Sequence, residues 1–324
     1  MNAIPAASIE FHDYHPRPSD FLAEVIEGLR QSPKRIAPKF FYDERGSRLF
    51  EQITELPEYY PTRTEQDILQ NNAEEIARVV GRNCLLVEPG SGNCEKVRLL
   101  LDVLRPQAYI PMDISREHLR KAAQMISMDY PWLDVHAACI DFTQPLDFSF
   151  CPPEAQRIAF FPGSSIGNFE PDDAVEFMHQ VAQGVGHGGG MLIGVDLKKD
   201  RAILDAAYND AAGVTARFNL NLLARINREL GANFVLDRFE HRAFYNAGAG
   251  RIEMHLISRD KQIVVIDDRI ISLEQGESIR TEHSYKYTIE EFQKLAAQAG
   301  FMPIYVWTDK DALFSVHYFE VPPC

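Results

Sequence analysis

Residues Leu85–Gly92 read Leu-Leu-Val-Glu-Pro-Gly-Ser-Gly, a short apolar strand ending in an acid and a glycine-rich turn. A helix is expected to follow from about Glu95 to Leu104, and then a second strand that closes on Asp113. Glycines let the backbone turn sharply and approach a ligand closely. A carboxylate at the tip of the next strand is placed to take both hydroxyls of a ribose. The G-x-G-x-x-G dinucleotide signature is incomplete, because Glu95 stands where its third glycine would be. A carboxylate there faces a pyrophosphate badly, so the turn suits a nucleoside without phosphates, such as S-adenosylmethionine. Taken alone, the segment also reads, with less weight, as a tight turn in an α/β sheet.

Strands and helices alternate from there. Strands are expected over 108–113, 133–140, 157–161 and 191–196, with helices over 115–130 and from Pro171. Such alternation builds a parallel sheet covered by helices on both faces, whose ligands sit beyond the carboxyl ends of the strands. Glu88, Asp113, Asp141, Gly163 and Asp196 all fall at those ends. Upstream, Ser19 is read as the cap of a helix through Leu29, and Thr64 as the start of a helical pattern running to Val80. After Lys198 the pattern changes to a long helical stretch over 202–230. Period-two strands follow over 234–245, 251–258, 262–266 and 279–287, an antiparallel α+β insertion. A helix over 289–299 and a strand pair over 302–308 and 313–321 end the chain.

Composition narrows the function. With 324 residues, 45% of them hydrophobic and 25% charged, the chain reads as a globular protein of about two domains. A net charge of −14 argues against nucleic acid or an anionic membrane as the main partner. No apolar run reaches membrane-spanning length and no secretory signal is visible. The five cysteines form no C-x-x-C pair and read as reduced cytoplasmic thiols. The histidines show no H-x-x-x-H spacing, so no metal is expected. The oligomeric state is left open.

Five separated motifs carry a resemblance across nearly the whole chain. They are Phe41-Tyr42-Asp43-Glu44-Arg45-Gly46-Ser47 through Leu56-Pro57-Glu58-Tyr59-Tyr60-Pro61-Thr62-Arg63-Thr64-Glu65; Gly163-Ser164-Ser165-Ile166-Gly167-Asn168; Ala207 to Thr215; Arg251-Ile252-Glu253-Met254; and Thr281-Glu282-His283-Ser284. In these the chain resembles the S-adenosylmethionine-dependent histidine Nα-methyltransferases of ergothioneine biosynthesis. The resemblance implies a seven-strand, Rossmann-like class I methyltransferase core over 61–198 and 287–324. It also implies an inserted α+β substrate-binding domain over 1–60 and 199–286. It places Gly90, Lys96, Asp113, Asp141 and Phe142 at the cofactor, and Tyr59, Asn168, Tyr208, Glu282 and Ser284 at histidine. Two positions depart from the family: Pro89 where leucine is frequent, and His255 where a bulky aromatic is common at the pocket's outer wall.

The residues by themselves leave alternatives open. Glu282 and Ser284, two apart on a strand, share a face and match the accepting and donating needs of an imidazole. That face is equally a solvated one shared with Arg280 and Lys286. Asn168 suits an amine and a carboxylate, or simply a left-handed turn. Tyr208 reads as mid-helix, where a core tyrosine is the commoner role. Tyr59 and Tyr60 precede Pro61 and are expected in extended loop backbone. Lys96 reads as a partner for the methionyl carboxylate or as an exposed helix lysine. Asp141-Phe142 reads as an adenine contact or as a helix cap. Tyr42 is a weak candidate for the reacting amine, since its phenol ordinarily titrates near ~10.

The reading that results is a cytoplasmic enzyme that trimethylates the α-amine of L-histidine. Its rivals are an N-methyltransferase for another small amino acid or amine, a nicotinamide-dependent dehydrogenase, and a binding module without activity.

Overall fold

The computed structural model describes residues 9–14, 18–140 and 155–323. The chain divides into two compact units, one of residues 1–15, 61–198 and 287–324, the other of residues 16–60 and 199–286.

The first unit is built on one eight-stranded sheet. Its strands run in the order Ile9–Asp13, Asp134–Cys139, Ala108–Asp113, Leu85–Pro89, Arg157–Phe161, Gly190–Asp196, Phe314–Glu320 and Met302–Thr308. The first six are parallel, and the last two are joined antiparallel. Seven of them, from Asp134–Cys139 to Met302–Thr308, form the Rossmann-like class I methyltransferase sheet that the resemblance implied. Leu86, Tyr109, Ile158 and Phe160 meet Val97, Leu101, Leu119 and Ile126 of the flanking helices in one core. On the other face Phe161 packs on Phe177 of helix Pro171–Val185, with ring centroids 4.9 Å apart. Thr288 and Glu291 close a reciprocal capping box at the start of helix Ile289–Gln298.

The eighth strand, Ile9–Asp13, corrects the expected domain boundary. Its residues pair in register with 135–139, so they belong to the first unit and not with residues 16–60. The expected helix over 64–80 is two, Tyr60–Asn71 and Ala73–Val80. Asn72 separates them and donates its side-chain amide to the Ile68 carbonyl at 2.7 Å, competing with the helical ladder. Tyr60 therefore begins a helix with Pro61 in its first turn, where proline needs no N–H, and is not in extended backbone. Ser19 lies inside helix Pro18–Arg30 and does not precede it.

The second unit carries a four-stranded sheet in the order Lys34–Arg35, Ser278–Tyr285, Arg251–Ser258 and Phe239–Asn246, and a separate hairpin of Gln262–Ile266 with Arg269–Leu273. The stretch over 202–230 is broken into helices Arg201–Ala207 and Val214–Leu230. Asp210 accepts from the amides of Val214 (2.7 Å) and Thr215 (2.8 Å) and so caps the second helix. Tyr208 is consequently the C-terminal cap of the first helix and not a mid-helix residue.

Candidate active site

In the first unit the turn after Leu85–Pro89 runs through Gly90 and Gly92, both at positive φ (69° and 54°). The Asp113 carboxylate accepts from the Gly92 amide at 3.0 Å and from the Ser115 amide at 2.7 Å. These bonds fix the acid at the strand tip while leaving lone pairs for further donors. Burial pushes its carboxyl above the usual range, and the two amides oppose that. A Cβ at Gly92 would meet no atom within 4 Å, so the space beside Asp113 is open. An acid held by two amides beside an open glycine turn fits a ribose diol.

Lys96 is on the first turn of helix Glu95–Leu104, and its Nζ lies 2.5 Å from Glu65 Oε2. Glu65, only 1% exposed, also accepts from the Gly163 amide at 2.9–3.0 Å. Room for this carboxylate comes from Gly194, where a Cβ would stand 1.8 Å from Glu65 Oε1. No motif singles out Glu65 by role; only the fold places it against strand Gly190–Asp196. Glu88 is buried as well, and Tyr109 donates its phenol to it. Burial raises the Glu88 carboxyl to about 8, against the pull of Tyr109 and Lys96.

Gly163 (φ 84°) and Ser164 (φ 57°) form the turn after Arg157–Phe161, and Ser164 Oγ accepts from the Asp196 amide at 2.9 Å. Asn168 ends the short 3-10 helix that follows, Ser165–Asn168, and is half-buried. Asp141 and Phe142 lie outside the described residues.

The second unit gathers the other expected substrate residues. Glu282 pairs with Met254 and Ser284 with Ile252, while Ile279 pairs with Leu256. Met254, Leu256 and Ile252 are all buried, so this is the inner face of the sheet. Thr281 is an extra residue at a bulge between Arg280 and Glu282, and that bulge turns Glu282 inward. The solvated-face alternative therefore fails for Ser284 and Lys286, both buried. Thr281 Oγ1 donates to Asn219 Oδ1 at 2.7 Å. The Asn219 amide in turn bonds His241 Nδ1 (2.9 Å), whose Nε2 meets the Tyr208 carbonyl at 3.0 Å. Burial lowers the His241 pKa, in keeping with a neutral ring bridging the two.

Lys286 Nζ donates to Ser284 Oγ at 2.9 Å and to the Tyr208 phenol at 3.2 Å, and lies 5.3 Å from the centre of that ring. Glu282 is raised to about 7 by burial, with the Lys286 charge opposing. It also borders a cleft of about 300 Å³ in this unit, lined among others by Glu24, Glu27, Arg35 and Arg280. Tyr208 meets Tyr59 edge-on at 6.2 Å, Tyr59 meets Phe50 at 6.3 Å, and Phe50 meets Tyr42 at 5.8 Å. One aromatic row thus links Tyr42, Tyr59 and Tyr208. His255 belongs to the opposite face of the sheet, where it stacks on Phe244 at 5.5 Å.

Among the described residues, cross-strand pairing brings Glu10, His12 and His136 together, their ligand-type atoms within 4.8 Å of one another. Sequence spacing gives no hint of this cluster. His136 also meets Asp134 at 3.0 Å. Among the same residues, no helix is long and apolar enough to cross a membrane.

A parallel sheet with a glycine turn and a strand-tip acid, extended by an antiparallel pair, defines a class I methyltransferase. Residues 21–321 match the family described as "Histidine-specific methyltransferase, SAM-dependent", and the chain belongs to that family. It is 44% identical to the histidine N-alpha-methyltransferase of Mycolicibacterium smegmatis over 88% of this chain and 90% of that protein. It is 32% identical to ergothioneine biosynthesis protein 1 of Neurospora crassa, over 86% of this chain and 32% of that longer protein. A solved structure from Bordetella parapertussis, described as a possible exported protein, shares the fold with 11% identity, a TM-score of 0.50, and coverage of 95% of this chain and 97% of that one.

Proposed function

We propose that this chain adds three methyl groups to the α-amine of L-histidine, giving Nα,Nα,Nα-trimethylhistidine (hercynine), an early step of ergothioneine biosynthesis. S-adenosylmethionine, when bound, supplies a methyl on a sulfonium already activated for in-line displacement by a neutral amine, chemistry that calls for no metal. The observation that carries the reading is the pairing of Glu282 and Ser284 on one inward face. An acid and a hydroxyl set two residues apart meet the N–H and the lone pair of a neutral imidazole.

The chain's own residues then divide the work. Asp113 holds the ribose beside Gly90, and Lys96 takes the methionyl carboxylate while Glu65 keeps the lysine in place. Asp141 and Phe142 hold the adenine. Asn168 meets the amine and carboxylate of histidine, and Tyr59 and Tyr208 bound its side chain. Tyr42 stays a candidate for the group nearest the amine. Residues 61–198 and 287–324, with the strand Ile9–Asp13, serve as the cofactor core, and residues 16–60 and 199–286 as the substrate unit. A cytoplasmic setting suits the buried thiols Cys84, Cys94 and Cys139.

The test is mass spectrometry of L-histidine incubated with the protein and S-adenosylmethionine. A product heavier by three methyl groups is expected. Unmodified histidine alongside a methylated second amine would overturn the reading.

A further inference from the structure

We infer that Lys286 sets the direction of the hydrogen bonds that read the substrate ring, fixing Ser284 and Tyr208 as donors and thereby selecting one imidazole tautomer. This rests on the proposed contact of Glu282 and Ser284 with the imidazole. Lys286 is 2% exposed, and its Nζ lies 2.9 Å from Ser284 Oγ and 3.2 Å from the Tyr208 hydroxyl.

An ammonium has three N–H donors and no lone pair, so both hydroxyl oxygens must accept from it. The Ser284 hydroxyl hydrogen is then turned away from the lysine and is available to a further acceptor. Ser284, left alone, donates or accepts with equal ease. Held by Lys286, it meets the nitrogen of the ring that carries a lone pair, and Glu282, acceptor-only when ionised, takes the N–H. A buried ammonium is tolerated only with such partners. The Tyr208 ring, 5.3 Å away, adds its π face. Lys286 is therefore a positioning residue that acts through Ser284.

The experiment is a double-mutant cycle on the full chain with Ser284→Ala, Lys286→Met and the pair, reading KM and kcat for histidine and S-adenosylmethionine affinity by calorimetry. Ser284→Ala and Lys286→Met are each expected to raise the histidine KM about tenfold. The double variant should lose clearly less than the product of the two losses, with cofactor affinity unchanged. Should Lys286→Met alone fold poorly, a second cycle in the Glu282→Ala background uses Glu282→Ala, Glu282→Ala/Lys286→Met, Glu282→Ala/Ser284→Ala and the triple variant. There removal of the acid together with the lysine leaves no lone carboxylate, and coupling between 284 and 286 is expected again. An unchanged KM in Ser284→Ala would sink the imidazole contact itself. A raised KM in Ser284→Ala with fully multiplicative losses in both cycles would sink the role of Lys286 alone.

Discussion

Lys96 Nζ stands 2.5 Å from the carboxylate of Glu65, a residue 31 positions earlier whose other bond goes to the Gly163 amide. One buried acid thus ties the helix after the glycine turn to the turn after strand Arg157–Phe161. Replacing it strands a lysine and an amide together. Glu65→Ala is expected to cost about 3–5 kcal/mol of stability, read from urea unfolding. A loss below about 1 kcal/mol would show that water replaces the carboxylate without penalty.

Asp113 presents both carboxylate oxygens from a fixed position. Asp113→Ala should weaken S-adenosylmethionine binding by at least ~1.5 kcal/mol, the worth of a hydrogen bond to a charged group. Titration calorimetry decides it; unchanged affinity removes Asp113 from the ribose.

In the proposed site Glu282 accepts from the ring, and its removal leaves an imidazole N–H unpaired. Glu282→Ala should raise the histidine KM by roughly 5- to 150-fold, with cofactor affinity nearly constant. Against phenylalanine the same variant should lose less, because neither partner then makes a polar demand. Equal losses in kcat/KM on the two substrates would assign Glu282 to the fold.

Glu88 gives a pH signature. Burial raises its carboxyl from 4.5 to about 8, so the folded chain holds this proton more tightly than the unfolded one. Stability linked to Glu88 is therefore present at low pH and lost as pH rises from about 4.5 through 8. Glu88→Gln keeps an acceptor for Tyr109 and carries no titrating proton. Its melting temperature should gain on the parent between pH 5 and pH 9, and a constant gap would show that Glu88 does not titrate there.

Asn219 pins two parts of the substrate unit, the Thr281 bulge and, through His241, the Tyr208 carbonyl. Asn219→Leu leaves these groups unsatisfied and should cost about 1–3 kcal/mol, together with a raised histidine KM. A destabilised variant with an unaltered KM would limit Asn219 to support of the fold.

Strand and helix alternation made most of the first unit legible, because buried parallel strands such as Leu85–Pro89 are apolar runs set between glycine turns. Ile9–Asp13 escaped, since five residues with three polar side chains carry no such signature and become a strand only by pairing with Asp134–Cys139. The break at Tyr208 was hidden by an apolar pattern continuing on either side, although Asp210 and Gly213 supplied the cap and turn. At the site, Glu282 and Ser284 were legible as a pair two apart. For Lys286 the sequence leaves a solvated face as open as a buried one, because its burial depends on Tyr208, 78 residues away. Glu65 was silent for the same reason: the glycine that makes room for it, Gly194, is distant in sequence.

The extra residue at Thr281 works as a phase shifter. Were it paired in the ladder like its neighbours, the two-residue side-chain period would carry Thr281 and His283 to the inner face and turn Glu282 and Ser284 out. In the proposed site the ring is thus read from alternate positions of one strand downstream of a single extra residue. The proposed site can change the ring it accepts by exchanging those side chains while the backbone stays as it is, and loss of Thr281 alone would leave Glu282 opposite Met254, whereas a one-residue deletion past the bulge, at His283, would turn every later side chain of the strand to the other face.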